Sequence, residues 1–334
     1  MRKLITLLLL LVSVTGISCN RPGQQGAGAK KKLTIAVIPK GTTHEFWKSI
    51  HAGSIKAARE LSAQGTEVEL NWKGPLREDD REQQIQVVEG FMSQGVNGIV
   101  LAPLDSRALV RPVEEAKRAG VPTVIIDSAL ESNEITSFVA TDNRKGGMLA
   151  ADRMGELLNG KGKVLLLRYQ EGSASTEDRE AGFIQELKQK YPAIELISSD
   201  QYAGPTRDTA KRASENLINR FGDQLQGIFT PNESSTAGML LALQDVNKAG
   251  KVTFVGFDAS DAFIEAMRTK QLHGIVVQNP FNMGYLGVRT MVDSLLGKTV
   301  ERRIDTGVTM VTLDNLNVPE IQTLLHPPLA QYLK

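Results

Sequence analysis

The chain has 334 residues, with 39 Lys and Arg against 38 Asp and Glu, 41% hydrophobic and 23% charged. This is an ordinary globular composition, long enough for two domains with sizeable cores, and it excludes a disordered chain. A formal charge of +1 lacks the basic excess of a nucleic-acid binder, and a single Cys excludes an internal disulfide or a cysteine metal cluster.

Met1-Arg2-Lys3 is a basic start, and Leu4 to Val14 is almost wholly apolar. That run is shorter than the roughly 20 residues of a spanning helix. It fits a secretory signal over residues 1–18. Cys19 follows Gly16-Ile17-Ser18. The stretch resembles a bacterial lipoprotein signal, in which cleavage leaves an N-terminal cysteine that carries lipid. Gly16 stands where that motif usually has Leu. A lipid on Cys19 is the expectation, and plain cleavage nearby with a free thiol is the alternative. Residues 19–32 are rich in Gly, Gln and Lys and read as a flexible tether. Loss of residues 1–18 leaves 37 basic against 38 acidic side chains.

From Leu33 on, short apolar runs bounded by turn residues recur: Leu33–Pro39, Val68–Trp72, Gly98–Pro103 and Pro122–Asp127. Ser137–Asn143 reads as a further strand, leading into a helix over Lys145–Asn159. The series resumes with Lys163–Tyr169, Ile194–Ser198, Gly227–Thr230, Val252–Asp258 and Gly274–Gln278. Helical spacing fills the intervals, as in Glu45–Gln64, where Phe46, Ile50, Ile55, Ala58 and Leu61 share a face, and in Thr206–Phe221. Continuous apolar strands alternating with amphipathic helices predict parallel sheets covered on both faces, hence an α/β fold with two doubly wound lobes.

Ligands of such sheets bind beyond the carboxyl ends of the strands. The polar residues there are Lys40 and His44 after the first strand, followed by Phe46 and Trp47, and then Asp127 and Ser128. The second half offers Arg179, Tyr202, Asn232, Asp258 and Gln278. Carboxylates, a guanidinium, amides and aromatic rings suit a neutral polyhydroxylated ligand: the carboxylates accept from hydroxyls, Arg and the amides donate, and aromatic faces cover C–H faces. Singly, each residue also fits a structural role. Asp127, Asp258 and Asn232 fit helix caps or turns, Phe46 and Trp47 fit the core, and Arg179 fits a solvated helix face.

In order and spacing, these residues resemble the type I periplasmic sugar-binding proteins, most of all the ribose-binding branch, which feed ABC transporters. The resemblance spans roughly Leu33 to Val318. It rests on Phe46-Trp47, Asp127, Thr141-Asp142-Asn143 with Gly146-Gly147, Arg179-Glu180-Ala181-Gly182-Phe183, Asn232, Val255-Gly256-Phe257-Asp258 and Gln278. It implies that Phe46 and Trp47 wall the sugar, that Asp127 accepts hydroxyls, that Arg179, Asn232, Asp258 and Gln278 bind hydroxyls from the other side, and that Tyr202 stacks. His44 falls where ribose binders carry Asn, and Lys40 where some hexose binders carry a ligand-contacting Lys. Ser128 replaces the Arg of the ribose pattern, which leaves the sugar open between pentose and hexose. The implied lobes are residues 33–141 with 279–307, and 142–278 with 308–334. The implied partners are a monosaccharide and a permease. The implied protein is a monomer in the periplasm or on the outer face of a membrane, held by the lipid on Cys19, with no cofactor, metal or nucleic acid.

Rival classes fare less well. No Gly-x-Ser-x-Gly elbow or His-Glu-x-x-His motif occurs, and Gly155–Gly162 mimics a P-loop with Gly162 in place of the required Ser or Thr. A sugar-sensing repressor needs a helix-turn-helix segment where this chain has a signal and tether. A receptor presenting a sugar-derived signal to a membrane sensor remains an alternative with the same core.

Overall fold

A computed structural model describes residues 32–333. The expected signal, the lipidation expected at Cys19 and nearly all of the expected tether lie outside the described residues. Strand β1 (Lys32–Ile38) is followed by α1 (Glu45–Ala63), β2 (Glu67–Trp72), α2 (Arg81–Ser93), β3 (Gly98–Leu101), α3 (Val110–Arg118), β4 (Thr123–Ile126) and β5 (Ser137–Ala140). Next come α4 (Asn143–Leu157), β6 (Lys161–Leu166), α5 (Ala174–Lys190), β7 (Ala193–Ser198), α6 (Arg207–Phe221), β8 (Gly227–Phe229), α7 (Glu233–Asp245), β9 (Thr253–Phe257) and α8 (Asp261–Arg268). The chain closes with β10 (Gly274–Gln278), α9 (Pro280–Leu295), β11 (Arg303–Asp305), β12 (Val308–Val311) and α10 (Pro319–Leu325).

The strands build two six-stranded sheets, ordered β11-β5-β4-β3-β1-β2 and β12-β10-β9-β8-β6-β7. The chain passes from the first to the second after β5, returns after β10 and crosses again between β11 and β12. Among the described residues β12 alone runs antiparallel, pairing Val308 with Gln278. It enters its sheet at the crossing, where β10 leaves, so it must run the other way. Lys32, expected in the tether, is the first residue of β1; it pairs with Glu67, and its ammonium lies 3.0 Å from Glu69. No helix among the described residues is long and apolar enough to cross a membrane.

Period-two alternation explains the apolar runs. Leu33, Ile35 and Val37 of β1 enter the core under α1 and α9, whereas Ala36 and Ile38 enter the core under α2 and α3. In the second sheet Leu165 faces the α6–α8 side, and Val164 and Leu166 face α4 and α5. Both faces of each sheet are covered, so both must be apolar.

The lobes share one packing device. A Cβ added at Gly53 of α1 would lie 1.9 Å from the Phe281 carbonyl oxygen on α9, and one at Gly284 would lie 2.0 Å from that of Ile50. On α4 and α5, a Cβ at Gly147 would lie 1.9 Å from the Arg179 oxygen, and one at Gly182 would lie 2.1 Å from that of Arg144. Backbone therefore rests on backbone, which fixes α1 and α5, the helices whose N-terminal halves reach the space between the lobes.

Candidate ligand-binding cleft

The carboxyl ends of the two sheets face each other across a tightly closed cleft of about 30 Å³. Lys40, His44, Phe46, Trp47 and Asp127 line it from the first lobe, and Arg179, Asn232, Asp258 and Gln278 from the second lobe and the crossing. The lobes are closed on each other. Ser175 N–H donates to Ser128 Oγ at 3.0 Å, Ser106 N–H to the Gly172 carbonyl at 2.9 Å, and Tyr169 O–H to Glu78 Oε2 at 2.7 Å.

Asp127 and Asp258 occupy equivalent places, each just past a central parallel strand, and both have left-handed backbone, φ 63° and 68°. Asp tolerates this region better than most residues, yet it costs on the order of 1–3 kcal/mol. The geometry turns each carboxylate back over the end of its sheet. Asp127 Oδ2 lies 2.9 Å from Lys40 Nζ, an ion pair in which the ammonium sits off the line of a hydrogen bond, leaving this oxygen without a directed donor. The ammonium also donates to Ser173 and Ser175 Oγ, at 3.3 and 3.1 Å, across the cleft.

Asp258 accepts from Gln278 Nε2 at 2.7 Å and from the Glu233 N–H at 2.9 Å, at the first turn of α7. Burial pushes its carboxyl up to about 6, against the pull of the nearby Arg179 guanidinium. Gln278 Oε1 is buried with no donor. Arg179 is fully buried, not solvated. Its Nε donates to Asn143 Oδ1 at 2.8 Å, its Nη1 donates to the Pro231 carbonyl at 2.9 Å, and its guanidinium lies 3.9 Å over the Phe257 ring. Burial pulls its pKa below the ordinary guanidinium value. Asn232 lines the cleft and also caps α7, accepting from Ser235 N–H at 3.3 Å.

Glu78, in the loop before α2, organises the first lobe's side of the cleft. Its Oε1 is 2.7 Å from His44 Nδ1 and from Trp47 Nε1, and its backbone carbonyl accepts from Gln170 Nε2 at 2.8 Å. Burial works against charge on both partners, but their attraction prevails: Glu78 is held down to about 2 and His44 up to about 9. Trp47 is thus both core and cleft wall, its ring edge-on to Phe46 at 5.0 Å.

Two expected ligand contacts sit elsewhere. Ser128 is buried, but its hydroxyl serves the Ser175 N–H at the start of α5, so it joins the lobes and does not line the cavity. Tyr202 is 41% exposed and lies beneath the Arg168 guanidinium, 4.8 Å from its ring centre. It follows β7, the edge strand, and is not among the residues that line the cleft. Sequence reasoning passed over Glu78, Tyr169, Ser173, Ser175, Thr176 and Glu233, all of which line the cleft. Tyr169 lies three residues past the end of β6 and is open to the strand-end rule; Glu78 sits in a charged run that reads as solvated loop. Among the described residues no group of three or more His, Cys, Asp and Glu is placed to hold a metal ion.

A profile for the periplasmic binding protein domain matches residues 35–299. The ribose import binding protein of Bacillus subtilis (strain 168) is 29% identical over 318 residues, covering 93% of this chain and 99% of that protein. A carbohydrate transporter solute-binding protein from Agrobacterium radiobacter, solved with D-arabinose, superposes with a TM-score of 0.84 at 31% identity, covering 89% of this chain and all of that one. An ABC transporter solute-binding protein from Agrobacterium vitis with bound D-fucose gives 0.82 at 32% identity, covering 88% of this chain and all of its own. Sequence, topology and cleft thus point one way: the chain belongs to the periplasmic binding protein family, as a type I sugar-binding protein of the ABC-transporter kind.

Proposed function

We propose that this extracytoplasmic protein closes on a single pentose or hexose ring and hands it to an ABC permease, acting as a monomer tethered by lipid on Cys19. The observation that carries the ligand class is a pair of buried acceptors, one on each side of the cleft: Gln278 Oε1, which has no donor, and Asp127 Oδ2, whose partner is the Lys40 ammonium, off the line of a hydrogen bond. Unpaired buried acceptors are costly, and sugar hydroxyls supply the missing donors. Charge supports a neutral ligand: Lys40, His44 and Arg179 stand against Glu78, Asp127 and Asp258, while Glu233 is paired with Arg207. Both lobes supply contacts, so a sugar favours the closed form by its differential affinity for it.

The direct test is a thermal-shift and calorimetric panel of pentoses and hexoses on the purified protein. One or a few sugars are expected to raise the melting temperature and bind at a 1:1 ratio. A panel without any response would remove the reading. The raised Asp258 pKa adds a pH dependence. Hydroxyls donating to this carboxylate favour its ionised form, so affinity is expected to hold above pH 6, fall as pH drops below about 6, and release protons on binding there. Affinity unchanged between pH 7 and 5 would take Asp258 out of ligand contact.

A further inference from the structure

Beside the cleft lies a second and larger cavity, of about 470 Å³. Phe46, Asp258 and Gln278 line both spaces and form the partition between them. Its outer wall is the end of the chain: Leu324, Leu325, Pro327, Pro328, Leu329 and Ala330. This segment belongs to both lobes. Ile321 and Leu325 of α10 are buried in the core of the second lobe. A few residues on, the Gln331 carbonyl accepts from Arg59 Nη1 of α1 at 2.9 Å, and the Tyr332 ring lies 5.7 Å from that of Phe281 on α9. Sequence reasoning placed all of residues 308–334 with the second lobe; the final residues instead rest on the first. The wall therefore takes its place only while the lobes are closed.

We infer that the sugar cleft continues into this compartment, and that the ligand is a glycoside whose apolar aglycone fills it. The inference rests on the sugar-binding reading and specifies its substrate class. Three features carry it. The partition is made by the same Asp258–Gln278 pair that would hold hydroxyls of the ring, so a substituent on a neighbouring carbon enters the second space directly. The Phe46 ring, half-buried and edge-on to Trp47, completes that partition. The outer wall is mostly leucine, proline and alanine, with His326 and Gln331 among them. The lining also includes Ser49, Asp261, Ser260, whose Oγ accepts from the Phe263 N–H at 3.3 Å, and Glu45, which pairs with Lys48 at 2.7 Å. An aromatic or alkyl group would bury apolar surface against the leucines and prolines.

The test is calorimetry with free D-ribose, D-arabinose, D-xylose, D-glucose, D-galactose and D-allose, and with both anomers of their methyl and phenyl glycosides. For at least one sugar the phenyl glycoside is expected to bind about tenfold or more tighter than the methyl glycoside, the step that burial of a phenyl-sized surface supplies. Ala330→Trp, which fills the compartment from its exposed wall, is expected to erase that advantage and leave the affinity for the free sugar unchanged. Leu329→Ala is expected to reduce the advantage without blocking entry, and far-ultraviolet circular dichroism checks that both variants fold. Free sugars binding while every glycoside is rejected would overturn this inference and leave the sugar-binding reading standing. A phenyl advantage that survives in Ala330→Trp would overturn it as well. Failure of both free sugars and glycosides would overturn the sugar-binding reading together with it.

Discussion

Arg179→Met is expected to abolish sugar binding and to lower the unfolding free energy by about 3 kcal/mol, the scale for leaving two buried acceptors without their donor. The buried guanidinium is the cation that most opposes the burial-driven rise of the Asp258 carboxyl. Without it Asp258 takes up a proton and becomes a weaker acceptor for sugar hydroxyls. Asn143 Oδ1 and the Pro231 carbonyl lose their donor as well, each a buried group left short of a partner. The backbone cannot relax to compensate, because the Arg179 carbonyl rests against Gly147 with no room for even a methyl group. Arg179→Lys separates charge from shape. A point charge restores part of the stability, but it cannot reproduce the planar fork that reaches Asn143 and Pro231 together while stacking over Phe257. Its sugar affinity is expected to stay far below that of the parent protein. Calorimetry for binding and urea titration for stability decide the matter. If Arg179→Met retained affinity within about threefold, Arg179 would be structural only.

The contrast between Arg179 and Tyr202 shows what strand-end reasoning can see. Asp127, Asn232, Asp258 and Gln278 follow or end central strands, whose carboxyl ends must open onto the space between the lobes, and each lines the cleft. Tyr202 follows β7, and nothing local in the sequence says that β7 is an edge strand; strand order is a product of long-range pairing. The Gly147 and Gly182 positions could be read as part of a pattern, but their function as paired contact points of α4 and α5 is visible only in three dimensions. β11 was missed because Arg-Ile-Asp is short and polar, and it forms only where β5 offers an open edge. Glu78 was missed for a related reason. A carboxylate in a loop of charged residues reads as solvated, and only the fold brings His44, Trp47 and Tyr169 around it.

That Glu78 cluster sets the second large expectation, a stability profile with a defined pH window. The Glu78 carboxyl, about 2 in the folded protein against 4.5 ordinarily, contributes stability that is present above pH 4.5 and lost as pH falls toward 2. His44, about 9 against 6.5, contributes stability that is full below pH 6.5 and lost as pH rises through 9. The pair is therefore worth most between about pH 4.5 and 6.5. Asp258 acts in the opposite sense: raised from 3.8 to about 6, it lets stability decline as pH rises between those values. Glu78→Gln removes the pair and leaves Asp258 in place. It is expected to cost about 3–5 kcal/mol at pH 6, because a neutral amide must turn one N–H toward the surrounding donors His44, Trp47 and Tyr169. The cost is expected to shrink steadily above pH 6.5 and below pH 4.5, as the parent protein loses the same interaction by titration. A difference between parent and variant that stayed constant from pH 3 to 10 would show that the pair does not titrate in this way. The consequence reaches function because Tyr169 belongs to the opposite lobe. Its hydroxyl donates to Glu78 only when the lobes are closed, so weakening this acceptor lowers the closed fraction. A ligand that binds the closed form then loses apparent affinity in proportion, whatever its identity. Glu78→Gln should consequently lower the apparent affinity of every sugar, whereas Arg179→Met, acting on direct contacts, should weaken different sugars unequally.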